Sequence, residues 1–427
     1  MQLLLLLIFC VGYAAIAFEH VLKINKTAIA LFTGILCWTV YILFSEDKVV
    51  VGHQLYDHLG QISGILFFLL GAMTIVELVD AYDGFEVITG RIHTTDTRKL
   101  LWIICLVTFF LSAVLDNLTT TIVMVSLLRK LVTDKYKRLF FIGMVVVAAN
   151  AGGAWTPIGD VTTTMLWIGG QITTGNIMAT LIGPSLVCII VPLLILSFTM
   201  RGVVGKQQVS VEVSKPATTA RERNLVLIIG VGALVFVPVF KTVTHLPPFM
   251  GMLFGLSLLW IVTELMHRNK SDEEKDSFSV VQAIRKADVP SVLFFLGILV
   301  AIAALESTGQ LHHLAGVMDR AIGDIRIIVL LIGLLSAVVD NVPLVAAAMG
   351  MYDMTTYPTD HMFWEFVAYC AGTGGSCLII GSAAGVAAMG MEKIDFFWYL
   401  KKIAWLALLG YFAGAAFFLA QHYFLNQ

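Results

Sequence analysis

Two apolar stretches of the sequence each carry an aspartate–asparagine pair near the middle. The pairs are Asp116-Asn117, in residues 101–128, and Asp340-Asn341, in residues 327–351. A carboxylate at the centre of a bilayer costs about 2.5–3.5 kcal/mol on insertion scales, so each of them requires a reason. Carboxylates at this depth are typical of cation or proton binding.

Two other apolar stretches are interrupted by glycine pairs, Gly152-Gly153 and Gly374-Gly375. Glycine pairs, and Pro157 after the first of them, break a helix and leave backbone carbonyls free within the membrane. With carboxylates and the side-chain oxygens of Asn, Thr and Ser, these carbonyls form an all-oxygen shell. Such a shell suits a small hard cation and not zinc or copper. We predict a sodium site and no cofactor.

The polar side chains of these four stretches predict a main cation site and a second, pseudo-symmetric one. The main site comprises Asp116, Asp160, Asn117, Asn150 and Thr162. The second comprises Asp340, Ser376 and Thr373. The full predicted set of cation- or proton-binding residues is Asp116, Asn117, Asn150, Thr156, Asp160, Thr162, Thr163, Ser336, Asp340, Asn341, Thr373 and Ser376, and the sodium ligands among them are Asp116, Asn117, Asn150, Asp160, Asp340 and Asn341.

The alternative interpretation is that these aspartates and asparagines cap short helices and that the glycines permit close packing. A neutral Asn or Ser would cap equally well without the cost of a buried charge, which favours binding for the aspartates. Accessory candidates stand at similar places in the two halves and could guard cavity mouths or extend to the membrane interface. They are Glu77, Asp80, Glu306 and Ser307.

The amino-acid composition indicates that these residues lie within a membrane protein. Of the 427 residues, 58% are hydrophobic and only 13% are charged, whereas a soluble domain has about 25% charged residues. The chain is therefore an all-α polytopic membrane protein whose partners include lipid. The formal net charge of −2 excludes a nucleic-acid partner. There is no phosphate loop and no His-Glu-x-x-His, and we predict that the protein is not an enzyme.

Ten stretches are predicted to cross the membrane, and 101–128 and 327–351 are predicted to be re-entrant hairpins. Three polar segments, 129–138, 201–223 and 267–288, are rich in Lys and Arg and mark the cytoplasmic side. Only the hairpin interpretation keeps the other basic loops on that side, and it places both termini outside. The ten stretches are 2–18, 27–44, 61–79, 139–170, 177–200, 224–240, 249–267, 289–304, 362–391 and 403–425.

Three motifs recur in the same order in the two halves of the sequence. Phe67 to Gly71 resembles Phe294 to Gly297, Ser112 to Asn117 resembles Ser336 to Asn341, and the glycine pair occurs in each half. Each half then holds five crossings and one hairpin. Five is odd, so the second half enters the membrane inverted, as in secondary transporters. The predicted units are repeats 1–205 and 224–427, joined by a cytoplasmic linker, 206–223.

At these motifs the sequence resembles the NhaD-type sodium/proton antiporters of the ion transporter superfamily, over roughly residues 60–425. The resemblance implies exchange of sodium or lithium for protons, a role in pH homeostasis, a bacterial inner membrane or plastid envelope, and a homodimer. The sequence departs from the family pattern at Tyr82, where a histidine is expected, so any pH-sensing role at that position is in doubt. Roles are implied for Asp116, Asn117, Asn150, Asp160, Thr162, Thr163, Glu306, Ser307, Ser336, Asp340, Asn341 and Ser376.

Two other functions compete with this interpretation. The first is sodium-coupled uptake of an organic anion such as a dicarboxylate, by a relative of the same fold. Such relatives carry Ser at the hairpin tips, whereas Asp116 and Asp340 would repel an anion. The second is an intramembrane aspartyl protease, whose Gly-x-Gly-Asp motif is only weakly matched by Pro157 to Asp160.

Overall fold

The computed structural model describes residues 1–90, 92, 94–200, 202–204, 218–268 and 278–425. In these ranges the structure is helical, and β-pairing is confined to one bridge between Asp96 and Val203. The helices are α1 (Gln2–Ala17), α2 (Glu19–Leu22), α3 (Lys26–Phe44), α4 (Lys48–Ala81), α5 (Glu86–Thr89), α6 (Thr97–Ser112), α7 (Asn117–Leu131), α8 (Lys135–Gly153), α9 (Val161–Ile168), α10 (Thr174–Thr199), α11 (Ala220–Thr244), α12 (Pro248–His267), α13 (Val280–Lys286), α14 (Val289–Ser307), α15 (Gln310–Ile322), α16 (Ile325–Leu335), α17 (Asn341–Met351), α18 (Met362–Gly374), α19 (Ala383–Glu392), α20 (Phe396–Lys402) and α21 (Ala404–Leu425).

Seven of the described helices are long and apolar enough to span a bilayer: α3, α4, α10, α11, α12, α14 and α21. Large apolar side chains remain exposed along them, for example Phe32, Ile228 and Phe254. An apolar surface of this extent is covered by lipid in a stable protein. The prediction of an all-α polytopic membrane protein is confirmed.

Both stretches predicted as hairpins consist of two short helices, α6 and α7 in the first and α16 and α17 in the second. Both interrupted stretches are likewise divided, into α8 and α9 and into α18 and α19. One boundary differs clearly from the prediction. Helix α4 begins at Lys48 and not near residue 61, because the Asp47 carboxylate caps it by accepting the N–H groups of Val49 and Val50.

The helices pack as two groups. The first bundle consists of α1, α3, α4, α11, α12 and α14, and the second bundle contains α6 to α10 and α16 to α21. Direct contacts between the bundles are made mainly by α14 with α17 and by α4 with α9, and α15 packs against α14 on one side and against α16 and α17 on the other. Both stretches predicted as hairpins and both interrupted stretches therefore belong to the second bundle.

In each half of the chain, one glycine allows the first helix of the stretch predicted as a hairpin to lie directly against the interrupted helix that follows it. A Cβ atom on Gly152 would lie 2.2 Å from the carbonyl oxygen of Phe109, and one on Gly374 would lie 1.9 Å from that of Gly333. No side chain fits at such distances, so the backbones of α6 and α8, and of α16 and α18, are in contact. The first glycine of each pair found in the sequence therefore serves this close approach.

Equivalent serines fix the same two contacts. The Ser112 hydroxyl donates to the Ala149 carbonyl at 2.6 Å, and the Ser336 hydroxyl donates to the Ala371 carbonyl at 3.1 Å. The second arms pack crosswise, with α7 against α19 and α17 against α9. This arrangement brings both hairpin turns and both helix breaks to one place.

Candidate cation site

The centre of the candidate site is the carboxylate of Asp160, which is only 2% exposed. Asp160 caps α9, and its Oδ1 accepts the N–H of Thr162 at 2.9 Å and the Thr162 hydroxyl at 2.8 Å. The Asn117 amide donates to Oδ2 at 2.8 Å, and the Asn341 amide nitrogen lies 3.4 Å from the same oxygen. One buried carboxylate therefore contacts the first residue after each hairpin turn.

Asn150, in the last turns of α8, links this carboxylate to the other interrupted helix. Its side-chain oxygen accepts from Asn117 at 3.0 Å. Its nitrogen donates to the hydroxyls of Ser376 and Ser382, each at 2.9 Å. The network therefore includes six predicted residues, Asn117, Asn150, Asp160, Thr162, Asn341 and Ser376, and residues from both halves of the chain.

Ser382 belongs to this network although it is not one of the predicted ligands. It caps α19 as Asp160 caps α9, with its hydroxyl accepting the Gly385 N–H at 3.2 Å. The signal was present, because Ser382 follows Gly375 by the same number of residues as Asp160 follows Gly153. The two halves thus place a carboxylate and a hydroxyl at equivalent positions, and the negative charge lies in the first half.

The carboxylates of Asp116 and Asp340 do not bond to that of Asp160 directly, although both interact with it electrostatically. Asp116 caps α7 by accepting the N–H of Thr119 at 2.7 Å and its hydroxyl at 2.9 Å. Asp340 caps α17 at the Val342 N–H, 3.2 Å away. All three aspartates therefore cap helices. Asp116 and Asp340 also interact electrostatically with Asp160.

The turn before α7 holds an unusual backbone conformation. Asp116 has φ +116° and ψ 161°, a region that glycine almost alone adopts and that costs about 1–3 kcal/mol. Strain of this size persists where the surrounding structure enforces it, as at ligand sites. In Asp340, with φ −48°, the equivalent strain is absent, so the two tips differ in geometry.

Four predicted residues donate their hydroxyls to backbone carbonyls and do not contact the Asp160 carboxylate. Thr156 donates to Ala113 and Thr163 to the Asp160 carbonyl. Ser336 donates to Gly333, and Thr373 donates to Tyr369. The structure therefore places these hydroxyls where they stabilise the hairpin turns and the helix breaks.

The accessory candidates lie away from this network. Asp80 lines a cavity of about 590 Å³ at the end of α4, together with Asp83 and Lys130, and Glu77 lies one turn earlier in the same helix. Ser307 is 3.0 Å from the ring of His58, and Glu306 packs against Gly350 of α17.

Tyr82, the departure from the family pattern, is fully buried at the end of α4. Its hydroxyl lies 2.5 Å from Nε2 of His267, and its ring packs against Phe278. The side chain therefore joins α4 to the end of α12 and is withdrawn from the solvent.

Two adjoining cavities lead from the surface to the site. The outer one has a volume of about 700 Å³ and is lined by Glu19, Lys23, Lys26 and Asp288, among others. The inner one, of about 110 Å³, shares Glu19 and Lys26 with it and reaches Asp340 and Ser382. We call these the vestibule and the inner cavity. Together they lead to Ser382, whose hydroxyl accepts from the Asn150 amide.

The site is suited to a hard monovalent cation. In the described residues, no group of three or more His, Cys, Asp or Glu side chains is arranged to hold a metal ion. The oxygens of the network belong to the Asp160 carboxylate, to asparagine amides and to the hydroxyls of Thr162, Ser376 and Ser382. A half-turn of the Asn117 or Asn341 amide would present its oxygen in place of its nitrogen. The Asp160 carboxylate and these oxygens would then surround a cation.

Known proteins show clear similarity to this chain. The citrate transporter family (CitMHS) matches residues 4–372. Sodium/proton antiporter 1 of Arabidopsis thaliana is 51% identical over 97% of this chain and 72% of its own length, and sodium/proton antiporter 2 is 46% identical over 98% and 99%. The Na(+)/H(+) antiporter NhaD of Vibrio cholerae is 30% identical over 95% of this chain and 89% of its own length.

Proposed function

We propose that this chain, which belongs to the citrate transporter (CitMHS) family, is a secondary transporter that exchanges sodium or lithium for protons. The observation that carries the proposal is the buried Asp160 carboxylate, held between the asparagines of two helix turns. Relatives named sodium/proton antiporters match nearly the whole chain. The protein is thus a transporter.

Exchange follows from competition for one carboxylate. An ionised carboxylate without a partner is costly to bury, so Asp160 binds either a proton or a cation. Sodium arriving through the vestibule displaces the proton, the second bundle moves against the first, and protons on the other side displace sodium. The unloaded site is fully charged and crosses poorly, which makes exchange obligatory.

The proposed topology is ten crossings and two re-entrant hairpins, with both termini outside and the two repeats inverted. The duplicated glycine and serine contacts and the crosswise packing of α7 and α17 support the repeat. In this topology the vestibule faces the cytoplasm. The described lysines and arginines lie on the cytoplasmic face apart from Lys48, Lys241, Arg320 and Arg326. Most of the predicted linker 206–223, residues 206–217, lies outside the described residues.

The protein is a multi-pass membrane protein, and we propose that its membrane is a bacterial inner membrane or a plastid envelope. Its relatives come from bacteria and from a plant. The homodimer stays a prediction from the family resemblance. In either membrane, exchange of sodium for protons would serve pH homeostasis.

The second candidate is sodium-coupled transport of an organic anion, because the matching family is described as a citrate transporter family. Three carboxylates around one network oppose the binding of an anion. Proteoliposomes loaded with a pH dye would separate the two functions. We expect a sodium pulse alone to move protons and a dicarboxylate to have no effect. If protons moved only after the dicarboxylate was added, the second candidate would replace the proposed function.

Acidification should weaken sodium binding without lowering the maximal rate. A single proton that competes with sodium for Asp160 raises the apparent KM for sodium by up to about tenfold per pH unit as the pH falls. Initial rates over a series of sodium concentrations and pH values give both constants. A maximal rate that falls at constant KM would show that protons act at a different site.

Asp116→Asn should strongly lower the exchange rate and leave the protein folded. Asparagine still accepts the Thr119 N–H, so the cap on α7 is kept while the charge is lost. We expect the exchange rate to fall by at least about tenfold, as for groups that support an ion site. Asp96→Asn, at the exposed cap of α6, is the matched control. Normal transport by Asp116→Asn would remove Asp116 from the site.

A further inference from the structure

Lys26 connects the first bundle to the tip of the second hairpin. It is the first residue of α3, and its ammonium lies 3.7 Å from Oδ2 of Asp340 and 4.5 Å from the centre of the Phe294 ring. The two charged side chains are 30% and 19% exposed. A lysine of one bundle thus neutralises a carboxylate that belongs to the other.

The ion pair lies between the vestibule and the oxygen ligands of the inner cavity. Lys26 lines both the vestibule and the inner cavity, whereas Asp340 and Ser382 line only the inner cavity. A cation that enters from the vestibule therefore meets the Lys26 ammonium before it reaches either of these oxygen ligands. The other ionisable groups of the two cavities are Tyr13, Glu19, Lys23 and Asp288.

The carboxylates at the two helix turns, those of Asp116 and Asp340, differ in the groups that neutralise them. Asp116 receives a hydroxyl and an N–H from Thr119, both within its own helix. Asp340 receives one N–H from its own helix and the ammonium from α3. An ammonium carries the same charge as sodium, so it can hold the place of the transported ion.

We propose that Lys26 is a built-in counter-cation that competes with sodium for Asp340. While the ion pair is formed, it holds the tip of the second hairpin to the first bundle, and a sodium ion on Asp340 releases it. Lys26 is a positioning residue for exchange and not a ligand. The proposal rests on the proposed function, since it assumes that sodium reaches Asp340.

Two other lysines provide matched controls. Lys23 lines the vestibule without an ion pair to Asp340, so Lys23→Gln tests the effect of positive charge on entry. Lys241 of α11 also crosses between the bundles, donating to the Trp167 carbonyl at 2.8 Å and lying over its ring. Lys241→Gln therefore cuts a contact between the bundles without freeing a carboxylate.

The experiment compares the apparent KM for sodium and the maximal rate in proteoliposomes. We expect Lys26→Gln to lower KM about three- to fivefold, as a partly exposed ion pair permits, with a smaller change in maximal rate. Lys26→Arg should restore the wild-type KM, and both control variants should keep it. In an Asp340→Asn background, Lys26→Gln should have no further effect.

Two results would overturn the proposal: a KM for Lys26→Gln equal to that of Lys23→Gln, or the same decrease in the Asp340→Asn background. Monodisperse elution in detergent identifies the variants that are folded. If Lys26→Gln is not folded, the apparent KM of Lys26→Arg provides the test. Failure of the proposed function is distinguishable, because the wild-type protein would then show no proton movement with sodium.

Discussion

Asp160→Asn is expected to abolish sodium/proton exchange, the largest functional effect of any single substitution in the site. Asparagine keeps an oxygen that accepts the Thr162 N–H and hydroxyl, so the cap on α9 survives. The charge that binds either ion is lost, and the amides of Asn117 and Asn341 face a neutral group. Removing one partner of a buried charged contact costs about 3–5 kcal/mol, equivalent to at least about a hundredfold in rate.

The matched control is Asp395→Asn. Asp395 also caps a helix, α20, through the Trp398 N–H at 2.9 Å, but it is exposed. This variant should exchange at the wild-type rate. Both proteins would be compared in proteoliposomes with a pH dye after equal reconstitution. Exchange by Asp160→Asn at more than about a tenth of the wild-type rate would show that another group carries the proton.

Gly374→Ala is expected to have the largest effect on folding. The new Cβ would lie 1.9 Å from the Gly333 carbonyl oxygen, a backbone atom that can move only if α16 and α18 separate. Overpacking in a rigid core costs about 1–3 kcal/mol and more where the backbone must shift. We expect this variant to lose monodisperse elution in detergent or to unfold at a much lower temperature than the wild-type protein.

Gly390→Ala is the control for that substitution. Gly390 lies inside α19, and a Cβ atom added there would meet no described residue within 4 Å outside the backbone of its own helix. Alanine has a higher helix propensity than glycine by about 0.5–1 kcal/mol, so this variant should be at least as stable as the wild-type protein. Equal stability of the two variants would contradict the direct backbone contact between α16 and α18.

The sequence was sufficient for much of the fold because its signals are local. Length and apolarity identify the spans, and the polar pairs at residues 116–117 and 340–341 mark the turns that divide two of the stretches. The start of α4 was missed because residues 48–60 include polar side chains such as His53 and Asp57. A cap at Asp47 and packing within the first bundle extend that helix beyond its apolar part.

The site was predictable in its residue types but not in its geometry. Spacing placed Asp116, Asp160 and Asp340 at breaks in helices, and it could not tell which carboxylate lies between the two tips. That depends on the crosswise packing of the two halves, which turns Asn117 and Asn341 towards Asp160. The contact of Lys26 with Asp340 joins residues far apart in sequence, and no local pattern contains it.

The central claim is that a sodium ion and a proton compete for Asp160, and sodium binding to the purified protein in detergent tests it most directly. Titration calorimetry in buffers of different ionisation enthalpy measures the protons released for each sodium bound. We predict proton release that diminishes as the pH rises and is absent in Asp160→Asn. Sodium binding without proton release over the whole pH range, or unchanged release in Asp160→Asn, would contradict the account.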